Sequence, residues 1–196
     1  MRILPLDILT PLDWNRVFPR VQPVEIDLGC GDGAFLVGSA QARPHHNFLG
    51  VERKLPRIDR CCRRCWRGQC GNVRVILIES GYLVRHMIPP DSVHTIHILF
   101  PDPWPKRKHE RHRLLKATFF RDAARLLAPS GEIRLKTDDQ KYFSFALKEA
   151  AASGAVVEQD VDHLENKEPM SDFEQRFRRE GRPIYFKIWR RSDQAL

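Results

Sequence analysis

Acidic side chains stand at the ends of five short, strand-like runs of this sequence. Asp27 lies in Val24 to Leu28, Glu52 follows Asn47 to Val51, and Glu79 follows Val73 to Ile78. Asp102 follows Val93 to Phe100, and Asp138-Asp139 follow Glu132 to Lys136. In open α/β sheets ligands bind beyond the carboxyl ends of the strands. A single acid there is an ordinary helix cap or turn residue. A full rim of them is notable because the chain is basic overall: 33 Lys and Arg oppose 25 Asp and Glu, for a net charge of +8. Such a rim suits a ligand with hydroxyls and positive charge.

The first run enters a glycine turn, Gly29-Cys30-Gly31-Asp32-Gly33. A dinucleotide fingerprint spaces its glycines G-x-G-x-x-G and sets a pyrophosphate at the start of the helix. Here the spacing is G-x-G-x-G, and Asp32 inside the turn would repel a pyrophosphate. Glycines at Gly29 and Gly31 still let backbone approach a ligand closely. Glu52, about twenty residues on, is placed to accept hydrogen bonds from ribose hydroxyls. The turn, Glu52 and Glu79 together favour S-adenosylmethionine, which carries a sulfonium and an ammonium and no phosphate, over a nicotinamide dinucleotide.

The segment from Phe100 to Arg113 reads F-P-D-P-W-P-K-R-K-H-E-R-H-R. Three prolines stiffen the chain just after an apolar run and would hold Asp102 and Trp104 at the rim. Lys106, Arg107, Lys108, Arg111 and Arg113 follow. A fixed acid and aromatic beside a cationic stretch suit a site that holds a base while gripping phosphates.

A scaffold of alternating strands and helices must position these groups. Helices are expected over Ala34 to Ala42, Pro56 to Gly68, Leu114 to Ala128 and Lys141 to Ala152, between the five runs named above. Two late strands are expected over Ala155 to Val161 and Ile184 to Trp189, with a polar stretch of unassigned structure, 162–182, between them. Apolar strands alternating with helices predict a mostly parallel sheet covered on both faces.

The segment after the fourth run resembles the F-P-D-P-W-x-K signature of bacterial tRNA (guanine-N7-)-methyltransferases. Thr137-Asp138 resembles that family's T-D segment, and Ser171-Asp172-Phe173-Glu174 resembles its T-x-[FY]-E segment. The resemblance implies an α/β, Rossmann-like class I methyltransferase with a seven-stranded sheet, residues 24–196 forming the methyltransferase domain and 1–23 an N-terminal extension. It implies S-adenosylmethionine as cofactor and tRNA as partner. Asp27, Gly29, Gly31, Glu52, Glu79 and Asp102 match its cofactor positions, and Asp102 also its active-site acid. Asp27 stands where Glu is usual. Lys106, Asp138, Ser171, Asp172, Phe173 and Glu174 match its substrate-binding positions, with Ser171 where Thr is usual. The implied product is a guanosine methylated at N7 in the tRNA variable loop. N7 offers an in-plane lone pair and no proton, so alignment and charge stabilisation suffice, and Asp102 is expected to act electrostatically rather than as a base.

The helix after Glu52 carries seven basic residues from Arg53 to Arg67 against Asp59 alone. Arg57, Arg60, Arg64 and Arg67 share one face by spacing, and RNA backbone contact is the expectation. Cys61, Cys62, Cys65 and Cys70 cluster there, but no second ligand pair accompanies them, so buried small hydrophobes are expected and no metal. Five cysteines, no signal-peptide pattern and no membrane-length apolar run set the expectation of a cytoplasmic protein, a monomer or a homodimer. A methyltransferase for a small molecule or protein, a nucleotide-dependent oxidoreductase and a non-enzymatic RNA-binding module are the competing readings. The basic surface and the F-P-D-P-W-P-K segment oppose the first, the glycine spacing the second, and the rim acids the third.

Overall fold

A computed structural model describes residues 1–3, 8–160 and 168–193. Among them one eight-stranded sheet runs β1-β4-β3-β2-β5-β6-β8-β7. Its strands are β1 (Arg2–Ile3), β2 (Val24–Leu28), β3 (Asn47–Glu52), β4 (Val73–Leu77), β5 (Val93–Leu99), β6 (Leu127–Thr137), β7 (Val156–Gln159) and β8 (Tyr185–Arg191). The pairs through β6 are parallel, and β8 and β7 add antiparallel. The eighth strand, beyond the seven expected, is Arg2–Ile3 on the open edge of β4.

The helices are α1 (Trp14–Val17), α2 (Ala34–Ala42), α3 (Leu55–Arg67), α4 (Ser80–His86), α5 (Ala117–Leu126), α6 (Gln140–Ser153) and α7 (Asp172–Arg179). The helix expected to run to Ala128 ends at Leu126, because Leu127 already pairs with Val93 as strand. After β1 at the edge, the chain enters the middle of the sheet at β2, builds outward through β3 to β4, then returns to β5 beside β2. The switch between β2 and β5 opens a crevice at their carboxyl ends, where ligands bind in this architecture.

Period-two alternation gives the sheet two unlike faces. Val24, Ile26, Leu28, Ile96, Ile98, Ile133 and Leu135 join α4, α5 and α6 in one apolar core. On the β3–β4 side of the other face, Phe48, Val73 and Val75 pack under Leu36 of α2 and Ile58, Cys61 and Cys65 of α3. On β2, β5 and β6 that same face carries charge. Glu25 aligns with Thr95 and Thr95 with Glu132, while Asp27 aligns with His97 and His97 with Arg134. These two polar rows are roofed in part by the segment from Glu168 through α7.

Candidate functional site

Asp27 is the penultimate residue of β2, only 3% exposed, and no ion pair holds it among the described residues. Burial pushes its carboxyl up to about 7; His97 pulls the other way, and Glu52 and Glu168 add to the rise. His97, its neighbour on β5, has Nε2 2.7 Å from Glu25 Oε2. Arg43 donates to both Glu25 oxygens at 2.9 and 3.0 Å. Burial alone would raise Glu25, but the bonds from His97 and Arg43 hold it well below the usual carboxylate range.

Past Asp27 the chain turns through Gly29, Gly31 and Gly33 at φ +86°, +54° and +81°. A Cβ on Gly29 would meet nothing within 4 Å, so backbone there is open to a ligand. Gly33 serves a different end: a Cβ would sit 2.5 Å from Cys61 Sγ, so the glycine lets α3 press against the turn. The cysteines expected as core filler are that; Cys30, Cys61, Cys65 and Cys70 are buried in the smaller core. Asp32 pairs with Arg60 at 3.0 Å through Oδ2, while its Oδ1 is buried without a hydrogen-bond partner.

Glu52 ends β3 with Oε1 accepting from the backbone N–H groups of Arg53 and Lys54, at 2.8 and 3.0 Å. Its Oε2 lies 3.9 Å from Arg57. Glu79 caps α4, accepting from the N–H groups of Gly81 and Tyr82 at 2.9 and 2.7 Å. Both of its oxygens therefore do the work of a helix cap, although the residue also borders the cavity.

The Phe100–Trp104 segment departs from β5 with strain. Phe100 and Trp104 adopt φ +52° and +45°, values costing bulky side chains about 1–3 kcal/mol each. Arg113 secures the turn, donating to the carbonyls of Pro103 and Trp104 at 3.0 and 3.3 Å. The result holds the Trp104 ring against His109 and His112, and leaves Asp102 70% exposed with Arg53 3.6 Å away. Lys106 is exposed and begins the short 3-10 turn Arg107–His112.

The stretch 162–182 contains α7 and, at 161–167, residues outside those described. Ser171 caps α7 by accepting from the Glu174 N–H at 3.1 Å. Glu174 points inward. It is 1% exposed, its two oxygens 3.3 and 3.2 Å from Lys136 Nζ of β6, and Arg178 donates to it at 2.8 Å. Asp172 pairs with Arg64 of α3 at 2.8 Å, Asp138 pairs with Arg182, and Glu168 pairs with Arg134. Phe173 projects outward, 37% exposed, with the guanidinium groups of Arg57 and Arg176 5.8 and 5.4 Å from its ring centre.

These parts enclose two adjoining cavities. One, of about 290 Å³, lies between the glycine turn and α7 and is walled by Asp27, Gly29, Gly31, Asp32, Ser171, Asp172 and Phe173. The other, of about 800 Å³, is walled by Glu52, Glu79, Asp102 and Trp104, with Arg53, Lys54, Arg111 and Arg113 at its edge. Gly29, Arg57, Leu99 and Phe173 border both. Of the expected site residues, Lys106, Asp138 and Glu174 line neither. A buried carboxylate without an ion pair and an unpartnered Asp32 oxygen fit a ligand that brings positive charge. Arg57, Arg60 and Arg64 face acids around these cavities, which leaves Arg67 as the member of that face without an ion pair among the described residues.

Sequence reasoning missed His97, the hold of Arg113 on the Pro103–Trp104 turn, and the pairing of Glu174 with Lys136. The first and third had a signal: polar residues alternating with Ile and Leu inside strands β5 and β6. The ligand atoms of Glu25, His46 and His94 lie within 4.8 Å of one another at the far ends of the strands. The Arg43 guanidinium on Glu25 already supplies the cation there. Among the described residues no helix is long and apolar enough to cross a membrane.

A methyltransferase family model, described as "Putative methyltransferase", matches residues 21–187. Proteins named tRNA (guanine-N(7)-)-methyltransferase are similar over most of their length. That of Halorhodospira halophila is 33% identical, covering 94% of this chain and 82% of its own, and that of Alkalilimnicola ehrlichii is 31% identical, covering 93% and 78%. A solved antibiotic-related methyltransferase shares the fold at TM-score 0.64 and 18% identity, over 97% of this chain and 96% of its own.

Proposed function

Because the chain belongs to the tRNA (guanine-N(7)-)-methyltransferase family, we propose that it transfers a methyl group from S-adenosylmethionine to N7 of a guanosine in the tRNA variable loop. One observation carries the reading: Gly29 at the head of the glycine turn, Glu52 and Asp102 line a single cavity of about 800 Å³ whose edge is cationic. The cofactor, when bound, supplies a methyl group activated by its sulfonium.

The protein's part is positioning and electrostatics. Gly29 and Gly31 give the cofactor close contact with backbone, and Asp27 holds its ammonium, which offsets the cost of keeping that carboxylate ionised in the interior. Glu52, fixed by two backbone N–H groups, accepts from the ribose, and Glu79 borders the adenine end. Asp102 lies across the crevice, three residues beyond the end of β5. A guanine attacked through N7 becomes cationic without losing a proton, and the Asp102 carboxylate stabilises that charge as it develops. Phe173 and Trp104 offer aromatic faces to the base, and Ser171 and Asp172 border it from the N-terminus of α7. Lys106 and the basic residues after it contact phosphates, with Asp138 acting through Arg182. Glu174 acts from beneath, holding α7 in place through Lys136.

The test is direct. The protein is incubated with methyl-labelled S-adenosylmethionine and unmodified tRNA, and the nucleosides are separated after digestion. Label in 7-methylguanosine from the variable loop is expected. Label in another nucleoside, or none while the cofactor binds, overturns the reading.

A further inference from the structure

The arginines of α3 divide into two sets. Arg57, Arg60 and Arg64 lean toward the cavities and meet Glu52, Asp32 and Asp172. Arg63 and Arg67 are both exposed, and neither has an ion pair among the described residues. Four residues apart, they share one surface of the helix, and Trp66, three residues beyond Arg63, borders that surface on one side. Its side chain is 79% exposed, on the flank of α3 about a quarter turn from the buried Ile58, Cys61 and Cys65. Asp59, the one acid of this helix, is engaged by Arg2 at 3.9 Å.

We propose that Trp66, flanked by Arg63 and Arg67, is a second docking point for the substrate RNA, where an unpaired base stacks on the indole and its neighbouring phosphates meet the two guanidinium groups. The inference rests on the reading of RNA as substrate and adds to it a contact outside the reaction cavity.

An indole this exposed is an apolar plate with an N–H edge, the shape on which any nucleobase stacks without regard to sequence. Paired bases hide their faces, so the partner is an unpaired residue of a loop. The occupant must also bring negative charge, because two unneutralised guanidinium groups border the plate. A second copy of the chain meeting this face about a two-fold axis would bring four arginines together. Trp66 lies nine residues beyond Arg57, about 14 Å along the helix axis. An RNA strand at duplex spacing covers that distance in about four nucleotides, so one molecule held at the cavity reaches this surface too.

The test uses the full chain and unmodified tRNA, comparing Trp66→Ala, Trp66→Phe and Arg63→Gln/Arg67→Gln. Trp66→Ala should raise the KM for tRNA about tenfold while kcat and the calorimetric Kd for S-adenosylmethionine stay unchanged. Trp66→Phe, which keeps an aromatic face, should recover most of the loss. The double arginine variant should lower the slope of log K against log[salt] by about 1.4–1.8, whereas Trp66→Ala should leave that slope as it was. Quenching of the fluorescence that wild type shows over Trp66→Phe when tRNA binds would support the stack directly. Unchanged tRNA affinity in Trp66→Ala overturns the proposal and leaves the methyltransferase reading intact. A shift in oligomeric state on sedimentation overturns it in favour of a self-contact. Wild-type protein that binds cofactor but no tRNA at any salt overturns the substrate reading together with this one.

Discussion

Replacing Asp27 by Asn should make the free protein more stable while depriving it of its cofactor. Burial lifts the Asp27 carboxyl from 3.8 to about 7. A folded-state pKa above the unfolded one means that the proton favours the fold. The stability this group contributes is complete below about pH 3.8 and is lost as pH rises through about 7. Three units of difference correspond to about 4 kcal/mol lost at pH 8, and a little over one unit, about 2 kcal/mol, is already lost at pH 5. Asparagine keeps the shape of the neutral acid and titrates nowhere. Asp27→Asn should therefore exceed the parent by up to about 4 kcal/mol at pH 8 and by about 2 kcal/mol at pH 5. Urea unfolding of both proteins at the two pH values, with equal m-values, measures this directly. The same variant should give no calorimetric signal with S-adenosylmethionine. Equal stability at pH 8, or a gain that fails to grow between pH 5 and pH 8, would refute the claim that this carboxylate is held ionised against its surroundings for a ligand's sake.

Other substitutions probe the neighbouring parts. His97→Gln removes the side chain that opposes the rise of Asp27, so the carboxyl should titrate higher in the free protein; carbon-detected NMR of labelled aspartate reads it, and an unmoved titration would show the ring to be a bystander. Lys136→Met leaves Glu174 buried with Arg178 as its remaining cation and should cost about 1.5–3 kcal/mol in urea unfolding, part of it restored in Lys136→Met/Glu174→Met; a double variant as unstable as the single would argue against pairing as the cause. Asp102→Asn should lower kcat about a hundredfold with little change in the KM for tRNA, as expected for charge stabilised in the transition state; retention of most of kcat would remove Asp102 from that role.

The sequence disclosed the half of the site that lies on strand ends; it named Ser171 to Glu174 through the resemblance alone and hid the helix, α7, that holds them. Strand β2 and its glycine turn were legible because alternation and glycine spacing are local signals, and the proline-rich segment because three prolines cannot sit inside a strand or helix. Helix α7 was obscured because its inner face carries Glu174 beside Phe177 where apolar residues would mark a period. Its start was nonetheless written, since Ser171-x-x-Glu174 has the form of a capping box. Glu79 does two things at once: it borders the larger cavity, and it caps Ser80–His86, a helix too short to show a period in the sequence. The polar rows of β2, β5 and β6 escaped because cross-strand alignment is long-range information, absent until His97 is known to lie between Asp27 and Arg134.

Gly33 has a consequence for how such a chain can vary. Its φ of +81° excludes ordinary side chains on backbone grounds, and the Cys61 sulfur 2.5 Å from an added Cβ excludes them on packing grounds. Trimming Cys61 to glycine would lift the second prohibition and leave the first, so no single compensating change elsewhere can license a new residue at position 33. Drift at this corner is confined to the sulfur side, where serine or alanine at 61 would still admit the bare backbone pressed against it.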